Sequence, residues 1–562
     1  MADEPEKLSK RQKHDSLSLP SPSTHPPPGT SSSPLTPAYS YLHLDPEKII
    51  KNYGKYGTYQ MIIYAMSNMG SMIYAMETMI MSLIAAEQKH VCISDNADYD
   101  MIDKCTVRNI YTNLTKKCGT VTDTRFEFPN FNRNTLITEF DLICDKSYWS
   151  QHGTSIFMIG GLIMAPFLSQ MADRYGRKFC FLIPLWLTVL SNIACSMSRN
   201  FYFFLLFRFI AGLGTAGIGT VSYVIQIESV TASFRSMTPL IGTFVWVSGY
   251  MAVGVLYLIF DDWRKLYLAM ALPGLVTFSF YWLMPESLHW SITNNRTKNV
   301  QKYIKSSSRI NKREIQLVDC KVTDRSDSTM ERASSRTVFD IFKKKSLLLQ
   351  LVLHCFIMMT MNGTYWALSL FSVDLHEDEL VGYFLSGLVE LPAGFIAIAL
   401  LSYFGRRTVT FLSFICTAIC MFMAVLLPGK NYISMSFPLL AKMFNSITWA
   451  SEPLLIGEMS PTSVRNVFYG LVAFVGEIAS VFAPYLNYLK QIHELAPPIT
   501  MTTIALLAGA FVLTSPETKD KALPEDLDDF DEGPFYRWLS GNKKEEARLE
   551  DDKQKENNVP LL

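Results

Sequence analysis

The chain has 562 residues, of which 49% are hydrophobic and only 18% are charged, and its 51 basic side chains balance its 51 acidic ones. Soluble domains carry about 25% charged residues, so this composition argues against a large soluble protein. A net charge of zero gives no reason to expect a nucleic-acid partner. The informative property is therefore where along the chain the charges lie.

The first 45 residues differ from the rest of the chain. Pro, Ser and Thr dominate 16–38, and such a composition cannot bury a hydrophobic core, so 1–45 is predicted to be disordered. The segment also lacks the apolar run of a signal peptide. The first apolar stretch that follows is therefore expected to act as its own membrane-insertion signal.

From residue 57 onward, long stretches with few charges alternate with short charged loops. A membrane helix needs about 20 mostly apolar residues, and these runs are too long and alternate too little to be strands. The sequence therefore predicts an all-α membrane protein with twelve transmembrane helices, numbered spans 1 to 12 in chain order. They are predicted at 57–83, 152–171, 179–197, 199–222, 237–260, 265–284, 347–372, 379–402, 408–427, 433–456, 466–487 and 499–515.

Basic residues collect in loops that all fall on one face of the membrane if every span crosses once. The central loop 285–345 has 14 basic against 7 acidic residues, and the loops before spans 1, 3 and 9 are also basic. Because such loops stay in the cytoplasm, both termini are predicted to be cytoplasmic. The predicted regions are a disordered cytoplasmic N-terminus 1–45, a first half 46–284, the central loop 285–345, a second half 346–517 and a cytoplasmic tail 518–562.

The segment from about 85 to 150 is then predicted to be extracellular. It has 8 basic and 10 acidic residues, so the basic bias is gone. Asn113 begins an Asn-Leu-Thr acceptor for glycosylation. The segment also holds an even number of cysteines in an oxidising compartment, which predicts two disulfides and leaves all three pairings open. These cysteines are Cys92, Cys105, Cys118 and Cys144.

Three short motifs occur twice, 229 to 231 residues apart, and each copy lies in an equivalent loop. They are a Gly-Arg-basic turn, a Glu followed seven positions later by Arg, and a Pro-Glu dipeptide. The copies lie at 175–178 and 404–407, at 228–235 and 458–465, and at 285–286 and 516–517. The chain is therefore predicted to be two six-helix halves of like topology. Parallel repeats of this kind form a site at the interface between halves, which rocking exposes to each side in turn.

The segment DRYGRK at 173–178 resembles the loop motif of the major facilitator superfamily, although Ser169 replaces a glycine of the motif and Ser402 replaces the acid in the second copy. Arg208 resembles the arginine of the family's fourth span. The resemblance implies a transporter whose basic inner loops pair with carboxylates at helix ends and lock the cytoplasmic side shut in one state. The alternative is a loop that only sets topology. The predicted gating residues are Asp173, Arg174, Gly176, Arg177, Glu228, Arg235, Arg406, Glu458 and Arg465.

Further stretches are similar to the organic cation, anion and zwitterion branch of that superfamily, over about 45–530. They include TLITEFDLICDKSYW before span 2, PESLHW after span 6, YFLSGLVELPAGF in span 8 and EMSPTSVRN before span 11. The large extracellular loop with its cysteines and glycosylation acceptor is also typical of the branch. Among the members of the branch, the chain most resembles the organic cation transporters.

Carboxylates inside membrane spans are costly and indicate a function. Four acids lie in the predicted spans, against two bases and one histidine that can be neutral. The cavity is therefore predicted to be acidic and to favour a cationic substrate. The acids are Glu77, Glu390, Glu452 and Glu477, and the other three side chains are Arg208, Lys442 and His354.

Glu477 is the residue on which the substrate prediction mainly depends. It lies twelve positions after Arg465, where the resemblance implies an acid in cation transporters and an arginine in relatives that carry anions or carnitine. A carboxylate attracts an ammonium group and an arginine repels it, so the sign of this side chain is predicted to select the substrate. The alternative is that Glu477 only pairs with Lys442 or another internal base.

The other predicted substrate contacts are two carboxylates and five aromatic side chains, because ring faces attract cations by about 0.5–2 kcal/mol each. Glu390 matches an acid that the branch has whatever its substrate, so a structural role is equally open. Glu77 lies in a Met-rich span, and packing is the alternative there and for the tryptophans. Two of the aromatic residues, both tyrosines, match positions that the family places along its cavity. The aromatic candidates are Tyr223, Tyr365, Trp246, Trp366 and Trp449.

The sequence has no phosphate-binding loop, metal-ligand cluster or nucleophile motif, so no cofactor, metal or enzymatic activity is predicted. The predicted function is a polyspecific organic cation transporter of the plasma membrane that works by alternating access on choline-like, monoamine or other amine compounds. Membrane potential alone supplies about 2.3 kcal/mol per charge per 100 mV. The alternative is a carnitine or betaine carrier, with or without sodium coupling, and an anion exchanger or non-transporting receptor fits less well. Membrane lipid is the other expected partner, and the oligomeric state is left open.

Overall fold

A computed structural model describes Tyr41 and residues 44–86, 90–94, 99–118, 124–128, 133–314, 338–429 and 431–539. Residues 1–40 of the predicted disordered segment, 315–337 of the central loop and 540–562 of the predicted tail lie outside the described residues.

Twelve helical spans follow one another in the described part of the chain, close to the predicted positions, and they confirm the predicted fold class. Spans 6 and 8 are each built from consecutive helical segments. The spans are Thr58–Ile84, Trp149–Tyr175, Arg177–Met197, Phe201–Ser229, Thr238–Ile259, Trp263–Val276 continuing to Leu283, Lys345–Leu370, Glu379–Leu388 with Glu390–Tyr403, Arg406–Leu426, Tyr432–Met459, Arg465–Phe482 and Ala496–Val512.

Nine helices among the described residues are long and apolar enough to cross a membrane by length and composition. Span 12 is apolar and has 17 residues. Spans 1 and 10 are long, with 27 and 28 residues, but they bury polar side chains that lower their hydropathy. Because polar side chains in a membrane face protein or water rather than lipid, spans 1 and 10 are expected to line the interior of the molecule.

The two halves pack alike, which agrees with the sequence repeat. In the first half span 4 packs against spans 1, 2 and 3, span 1 against span 5, and span 3 against span 6. In the second half the equivalent span 10 packs against spans 7, 8 and 9, span 7 against span 11, and span 9 against span 12. The halves meet where span 5 packs on span 8 and span 2 on span 11, two contacts that the repeat makes equivalent.

Small residues allow spans 2 and 4 to approach closely. A Cβ atom added to Gly212 would lie 2.1 Å from the carbonyl oxygen of Phe157, and one added to Gly160 would lie 2.5 Å from that of Phe209. Only a residue without a side chain fits so near another backbone, so these glycines fix the spacing of the two helices.

The segment between spans 1 and 2 contains two small antiparallel sheets, one of β1 with β5 and one of β2, β3 and β4 in that order. Of the three possible cysteine pairings, the structure has Cys92–Cys118 and Cys105–Cys144. His90 lies near the second disulfide, but bonded sulfurs are not thiolates and this group offers no metal site. The strands are β1 Val91–Ser94, β2 Tyr99–Met101, β3 Thr106–Asn109, β4 Thr115–Lys117 and β5 Thr124–Glu127.

Short helices cover the ends of the spans that carry the basic loops, called the inner ends from here on, while the sheets lie at the outer ends. The helix Thr297–Asn311 belongs to the central loop and packs against span 1, where Gln60 donates a 3.0 Å hydrogen bond to Ser307. The other short α-helices at the inner ends are Pro46–Asn52, Ala232–Arg235, Leu288–Thr293, Val338–Lys343 and Gly533–Leu539, while Leu136–Phe140 lies in the outer segment.

Candidate substrate site and gating motifs

Glu77 of span 1 forms a fully buried ion pair with Arg208 of span 4. The arginine also donates a 3.3 Å hydrogen bond to the carbonyl oxygen of Gly153 and lies over the ring of Phe157, both on span 2. One side chain therefore ties three spans of the first half together. Glu77 was predicted to contact substrate, but in this structure its charge is already neutralised and it has no exposed surface, so the geometry favours the structural role.

Glu390 of span 8 forms a second buried ion pair, with Lys442 of span 10, at 2.9 Å. The ammonium group of Lys442 also donates a 2.9 Å hydrogen bond to Ser386 and lies 4.7 Å and 5.4 Å from the ring centres of Tyr250 and Tyr365. Tyr250 belongs to span 5, so this network joins the two halves. Sequence reasoning had offered Lys442 as an alternative partner of Glu477, and the structure gives it to Glu390 instead.

Glu452 of span 10 is the third buried carboxylate, and its Oε1 lies 2.6 Å from Nδ1 of His354 on span 7. Neither side chain has exposed surface. The pair lies towards the inner end of the second half, because Glu452 is seven residues before the end of span 10. Sequence reasoning singled out both residues without predicting that they meet.

Glu477 differs from the other three membrane carboxylates because no ion pair of the described residues includes it. Its side chain is exposed and accepts one hydrogen bond of 3.0 Å from Ser480 on the same helix. The hydroxyl groups of Tyr74 on span 1 and Tyr469 on span 11 lie within electrostatic range of its carboxylate. Glu477 therefore faces the first half across the interface and has no charged partner among the described residues.

Aromatic side chains from both halves form a continuous wall beside this interface. The indole N–H of Trp246 donates a 2.9 Å hydrogen bond to the hydroxyl of Tyr365, which donates a 3.0 Å hydrogen bond to Glu390. Ring contacts with centre distances of 5.3 to 6.5 Å connect Tyr74, Trp246, Trp366, Tyr365 and Trp449 in that order. The structure thus brings together four of the five predicted aromatic residues and adds Tyr74, which no sequence signal indicated.

The wall also contains two buried hydrogen-bond donors. The indole nitrogens of Trp366 and Trp449 are buried and have no hydrogen-bond partner among the described residues. Buried donors usually find an acceptor, which includes water or a ligand. Tyr223, the fifth predicted aromatic residue, lies apart with a half-exposed ring, near Tyr469 of the opposite half.

Two arginines of the predicted gating set pair with carboxylates at the inner ends. Arg177 bonds Glu228 at 3.2 Å and Asp173 at 3.0 Å in the first half. Arg406 bonds Glu458 at 3.0 Å in the second half, so the repeated motifs build the same contact twice. Each of these ion pairs lies within its own half and does not cross to the other.

The remaining gating candidates have other contacts. Arg235 pairs with Glu47 of the first short helix, and Arg465 donates hydrogen bonds of 3.2 Å and 3.1 Å to the carbonyl oxygen of Ser460. Arg174 lies over the ring of Tyr175. The structure therefore places only Arg177 and Arg406 of the predicted arginines against the carboxylates at the ends of spans 4 and 10.

The glutamates of the repeated Pro-Glu dipeptides cap the starts of spans 3 and 9, a structural role that the repeat alone did not predict. The carboxylate of Glu286 accepts hydrogen bonds from the backbone N–H groups of Arg177 and Lys178, at 2.7 and 3.0 Å, where span 3 begins. Glu517 does the same at the start of span 9, with Arg407 at 3.4 Å and Thr408 at 3.3 Å. A carboxylate at a helix N-terminus satisfies free N–H groups and complements the helix dipole.

Hydrogen bonds also join the halves near their outer ends. Ser155 of span 2 donates a 2.8 Å bond to the carbonyl oxygen of Val481 on span 11, and His152 lies 2.6 Å from the hydroxyl of Tyr485. A cavity of about 400 Å³ lies next to these contacts, lined by the ends of spans 1, 2 and 7, by the segment between spans 1 and 2 and by the segment after span 11. In this structure hydrogen bonds therefore join the two halves on the outer side, whereas each inner ion pair forms within a single half.

The fold and these motifs define a multi-pass membrane transporter of the major facilitator type. A family model described as "Sugar (and other) transporter" matches residues 60–526. The chain belongs to that family, whose members are membrane transporters and not enzymes.

Similar proteins agree with this assignment. The chain is 26% identical over 518 residues to the organic cation transporter protein of Drosophila melanogaster, with 86% of this chain and 94% of that protein covered. It is 25% identical over 397 residues to the human organic cation/carnitine transporter 2, covering 70% and 71%. The inward open conformation of the xylose transporter XylE from E. coli has a TM-score of 0.57 at 15% identity, covering 83% and 98%. The predicted resemblance to organic cation transporters is confirmed.

Proposed function

We propose that the chain transports small organic cations across the plasma membrane through the space between its halves. The single observation that carries this proposal is Glu477, an exposed membrane carboxylate with no ion pair among the described residues. Its three counterparts Glu77, Glu390 and Glu452 are each paired with a base. An unpaired charge at membrane depth is expensive unless it has a ligand to bind, and a carboxylate binds cations.

The aromatic wall supports the same substrate class. A cation held over ring faces gains about 0.5–2 kcal/mol from each suitably placed ring, and such contacts tolerate different substituents on the cation. Trp246, Tyr365, Trp366 and Trp449 supply these faces within one connected cluster. We therefore propose broad specificity for choline-like, monoamine and related amines, with inward transport driven by the membrane potential and the substrate gradient.

Alternating access is proposed to use the inner ion pairs. Arg177–Glu228 and Arg406–Glu458 hold the inner ends of spans 3 and 4, and of spans 9 and 10, at fixed positions within each half. Rocking of two such rigid halves opens and closes the inner side. We propose that Asn113, exposed in the outer segment, carries a glycan and that both termini are cytoplasmic.

The test is an uptake panel in cells that express the full chain. Labelled tetraethylammonium and choline are the cations, carnitine is the zwitterion and benzoate is the anion, each measured per amount of protein at the cell surface. Wild type should take up the cations and respond to membrane potential. Glu477→Arg should lower cation uptake by about tenfold or more, since 1.4 kcal/mol of lost interaction is already tenfold.

Glu477→Asp is the matched control, because it keeps the charge and should keep cation uptake. Normal cation uptake by Glu477→Arg at wild-type surface levels would refute the role of this residue. A wild type that carries only benzoate would refute the substrate class.

A zwitterion carrier is the second candidate, and one observation favours it. Lys442 places an ammonium group beside the same aromatic wall, 5.4 Å from the ring centre of Tyr365, so a carboxylate and an ammonium lie within one network. Carnitine carries both charges. Uptake that requires sodium, ignores membrane potential and prefers carnitine over tetraethylammonium would decide for this candidate.

A further inference from the structure

The exposed side of the helix Thr297–Asn311 carries positive charge that the described part of the chain does not balance. Lys298, Lys302, Lys305 and Arg309 follow one another at intervals of four, three and four residues, so they form one stripe along the helix. All four are exposed, and no ion pair of the described residues includes them. The helix itself has no acidic side chain. These four residues are called the basic stripe from here on.

The opposite side of the same helix is fixed to the first half. Val300, Tyr303 and Ser307 are buried there. Asn311 donates a 3.0 Å hydrogen bond to Oε1 of Gln60 on span 1, and the amide of Gln60 donates one of 3.0 Å to Ser307. The helix therefore holds the basic stripe in a defined position at the inner end of span 1.

This arrangement of charge is unfavourable without a partner. Like charges three or four positions apart repel one another and destabilise a helix. From Lys298 to Arg309 the stripe runs for about 16 Å at 1.5 Å per residue, and every cation in it has another as its neighbour. The stability that is lost to this repulsion has to be recovered from a negatively charged partner.

Membrane topology alone does not account for the basic stripe. Inner loops carry an excess of basic residues, but that excess does not require them to lie on one side of one helix. In the second half, the segment 525–532 follows span 12 at a place that the repeat makes equivalent, and it has six acidic residues and no basic one. The stripe is therefore a particular feature of the first half and not a property of every inner segment.

Contacts of Lys302 place the stripe beside the lipid-facing edge of the molecule. Lys302 lies within electrostatic range of Lys178 at the start of span 3. The ammonium group of Lys178 donates a 2.7 Å hydrogen bond to the carbonyl oxygen of Tyr281, at the inner end of span 6, and lies 5.3 Å from the centre of its ring. The neighbouring Phe179 and Trp282 are exposed. Exposed aromatic rings at the end of a span mark the boundary between lipid and water, so the stripe lies near the level of the lipid headgroups.

The partner that fits this position is an anionic lipid. Phosphatidylserine and phosphoinositides make the cytoplasmic leaflet negative, and clusters of about four to eight basic residues beside a span or on an amphipathic helix bind such lipids. Arg296 and Lys312 flank the helix and are exposed as well, which brings the number of basic side chains at this surface into that range.

We propose that the basic stripe binds anionic phospholipid headgroups of the cytoplasmic leaflet, with phosphatidylserine as a ligand. The assignment to that leaflet rests on the proposed orientation of the chain, whereas the binding itself does not depend on what the chain transports. Because the helix is bonded to span 1, which carries Tyr74 beside Glu477, bound lipid stabilises the inner end of a span that also borders the proposed substrate site.

The first measurement is the binding of phosphatidylserine to the purified full chain in detergent, by native mass spectrometry, with phosphatidylcholine as the neutral lipid. The decisive variant combines Lys298→Gln, Lys302→Gln and Lys305→Gln, which are exposed positions where the change should not prevent folding. Each basic residue near an anionic surface contributes about fivefold in affinity, so this triple variant should bind phosphatidylserine about tenfold or more weakly than wild type. Binding of phosphatidylcholine should not change.

Two further variants control for charge. Changing the same three lysines of the stripe to arginine keeps the charge and should keep the binding of phosphatidylserine. The matched control removes the same charge from three exposed positions of the outer segment and should bind like wild type. Its changes are Lys104→Gln, Lys116→Gln and Lys146→Gln.

Three outcomes of this measurement would overturn the proposal. The first is wild-type affinity for phosphatidylserine in the stripe variant. The second is an equal loss in the stripe variant and the outer control, which would show attraction by net charge alone. The third is binding of free phosphoserine as tight as that of phosphatidylserine, which would make a soluble anion and not a lipid the ligand.

The second measurement is the melting temperature of the full chain in nanodiscs of phosphatidylcholine, with and without about 20% phosphatidylserine. A ligand that binds only the folded chain raises its stability, so wild type should melt at a higher temperature with phosphatidylserine. The increase should shrink above about 0.1 M salt, where charges are screened within about 10 Å. The stripe variant should lose most of the increase and the outer control should keep it. An equal increase in wild type and stripe variant would overturn the lipid site, while the absence of any cation uptake would overturn the proposed function alone.

Discussion

The two halves of the molecule share one helix arrangement but use their buried charges differently. Among the described residues the first half has one fully buried ion pair, Glu77 with Arg208, in which the base is an arginine that stays charged under all conditions. The described part of the second half has two such pairs, whose bases are Lys442 and His354, and in it Glu477 has no ion-pair partner. Lysine and histidine change protonation or partner far more readily than arginine.

This difference indicates that the two halves have different roles although they share one helix arrangement. Arg208 is bonded to spans 1 and 2 and lies over an aromatic ring, so its half behaves as a fixed block. In the second half the charged groups contact tyrosines of both halves, and one carboxylate faces the interface. A site built mainly in one half, against a rigid partner, needs only one set of side chains to respond to a ligand.

The largest expected effect comes from breaking the fixed pair of the first half. Glu77→Ala leaves the Arg208 charge buried without its partner, which costs about 3–5 kcal/mol, so little folded protein should reach the membrane. Replacing both members, with Glu77→Met and Arg208→Met, should restore much of the folded amount because no charge is left unpaired. The measurement is the yield and melting temperature of the purified chain.

The corresponding change in the second half, Glu390→Gln, should cost clearly less. Lys442 keeps its hydrogen bond to Ser386 and its contacts with two tyrosine rings. A Glu390→Gln variant that is as unstable as Glu77→Ala would contradict the proposed difference between the halves.

The second prediction concerns the two inner glycines. Gly176 has φ 106° and ψ 159°, a backbone conformation that is open almost only to glycine, whereas Gly405 has φ −71°. A Cβ atom at either position would meet the capping carboxylate, 2.4 Å from Glu286 in one half and 2.1 Å from Glu517 in the other. Gly176→Ala adds backbone strain of about 1–3 kcal/mol that Gly405→Ala does not have.

Gly176→Ala should therefore lower the melting temperature more than Gly405→Ala, although both glycines occupy the same place in the repeated motif. Equal losses in the two variants would mean that displacement of the carboxylate, and not the backbone conformation, determines the cost. The control is Gly242→Ala, where an added Cβ meets nothing within 4 Å.

Much of this architecture could be predicted because it depends on properties that lie along the chain. The length of the apolar stretches predicted the twelve spans, and the repeated motifs predicted the inner ion pairs of Arg177 and Arg406. The partner of Lys442 could not be predicted, because it depends on which faces of spans 8 and 10 meet, and no spacing records that. Tyr74 and Tyr469 carried no signal either, since a single tyrosine in an apolar helix is common, and their position beside Glu477 arises only from packing.

The third prediction compares the inner ion pairs. Arg177 bonds two carboxylates and the carbonyl oxygen of Ala172, and its side chain is 13% exposed, whereas Arg406 bonds Glu458 and is 21% exposed. Pairs that are partly open to solvent are worth about 1 kcal/mol or less, so each loss should alter the rate rather than abolish folding. Arg177→Met should change cation uptake per surface molecule more than Arg406→Met.

Arg177→Lys is the control for that comparison, because it keeps the charge but cannot span two carboxylates with a planar fork. It should fall between wild type and Arg177→Met. If Arg406→Met has the larger effect, the inner gate is controlled by the second half and the comparison between the halves has to be reversed.

The smallest expected effect is the acid sensitivity of the cap of span 9. Burial raises the pKa of the Glu517 carboxyl, but the backbone N–H groups of Thr518, Lys519, Arg407 and Thr408 together outweigh it and hold the pKa below its ordinary value. A pKa that is lower in the folded than in the unfolded chain contributes stability above the unfolded value of about 4.3, and this stability is lost as pH falls through the folded value. The melting temperature of wild type should therefore fall more steeply in acid than that of Glu517→Gln.

Glu525→Gln, on an exposed glutamate of the same segment, controls for the loss of one negative charge and should follow wild type. The effect is small because Glu517 is only partly buried and water screens its interactions. It nevertheless separates two roles of the carboxylate, since a Glu517→Gln side chain still accepts backbone hydrogen bonds but no longer changes charge. Parallel acid profiles in wild type and Glu517→Gln would show that the cap of span 9 acts through hydrogen bonding alone and not through its charge.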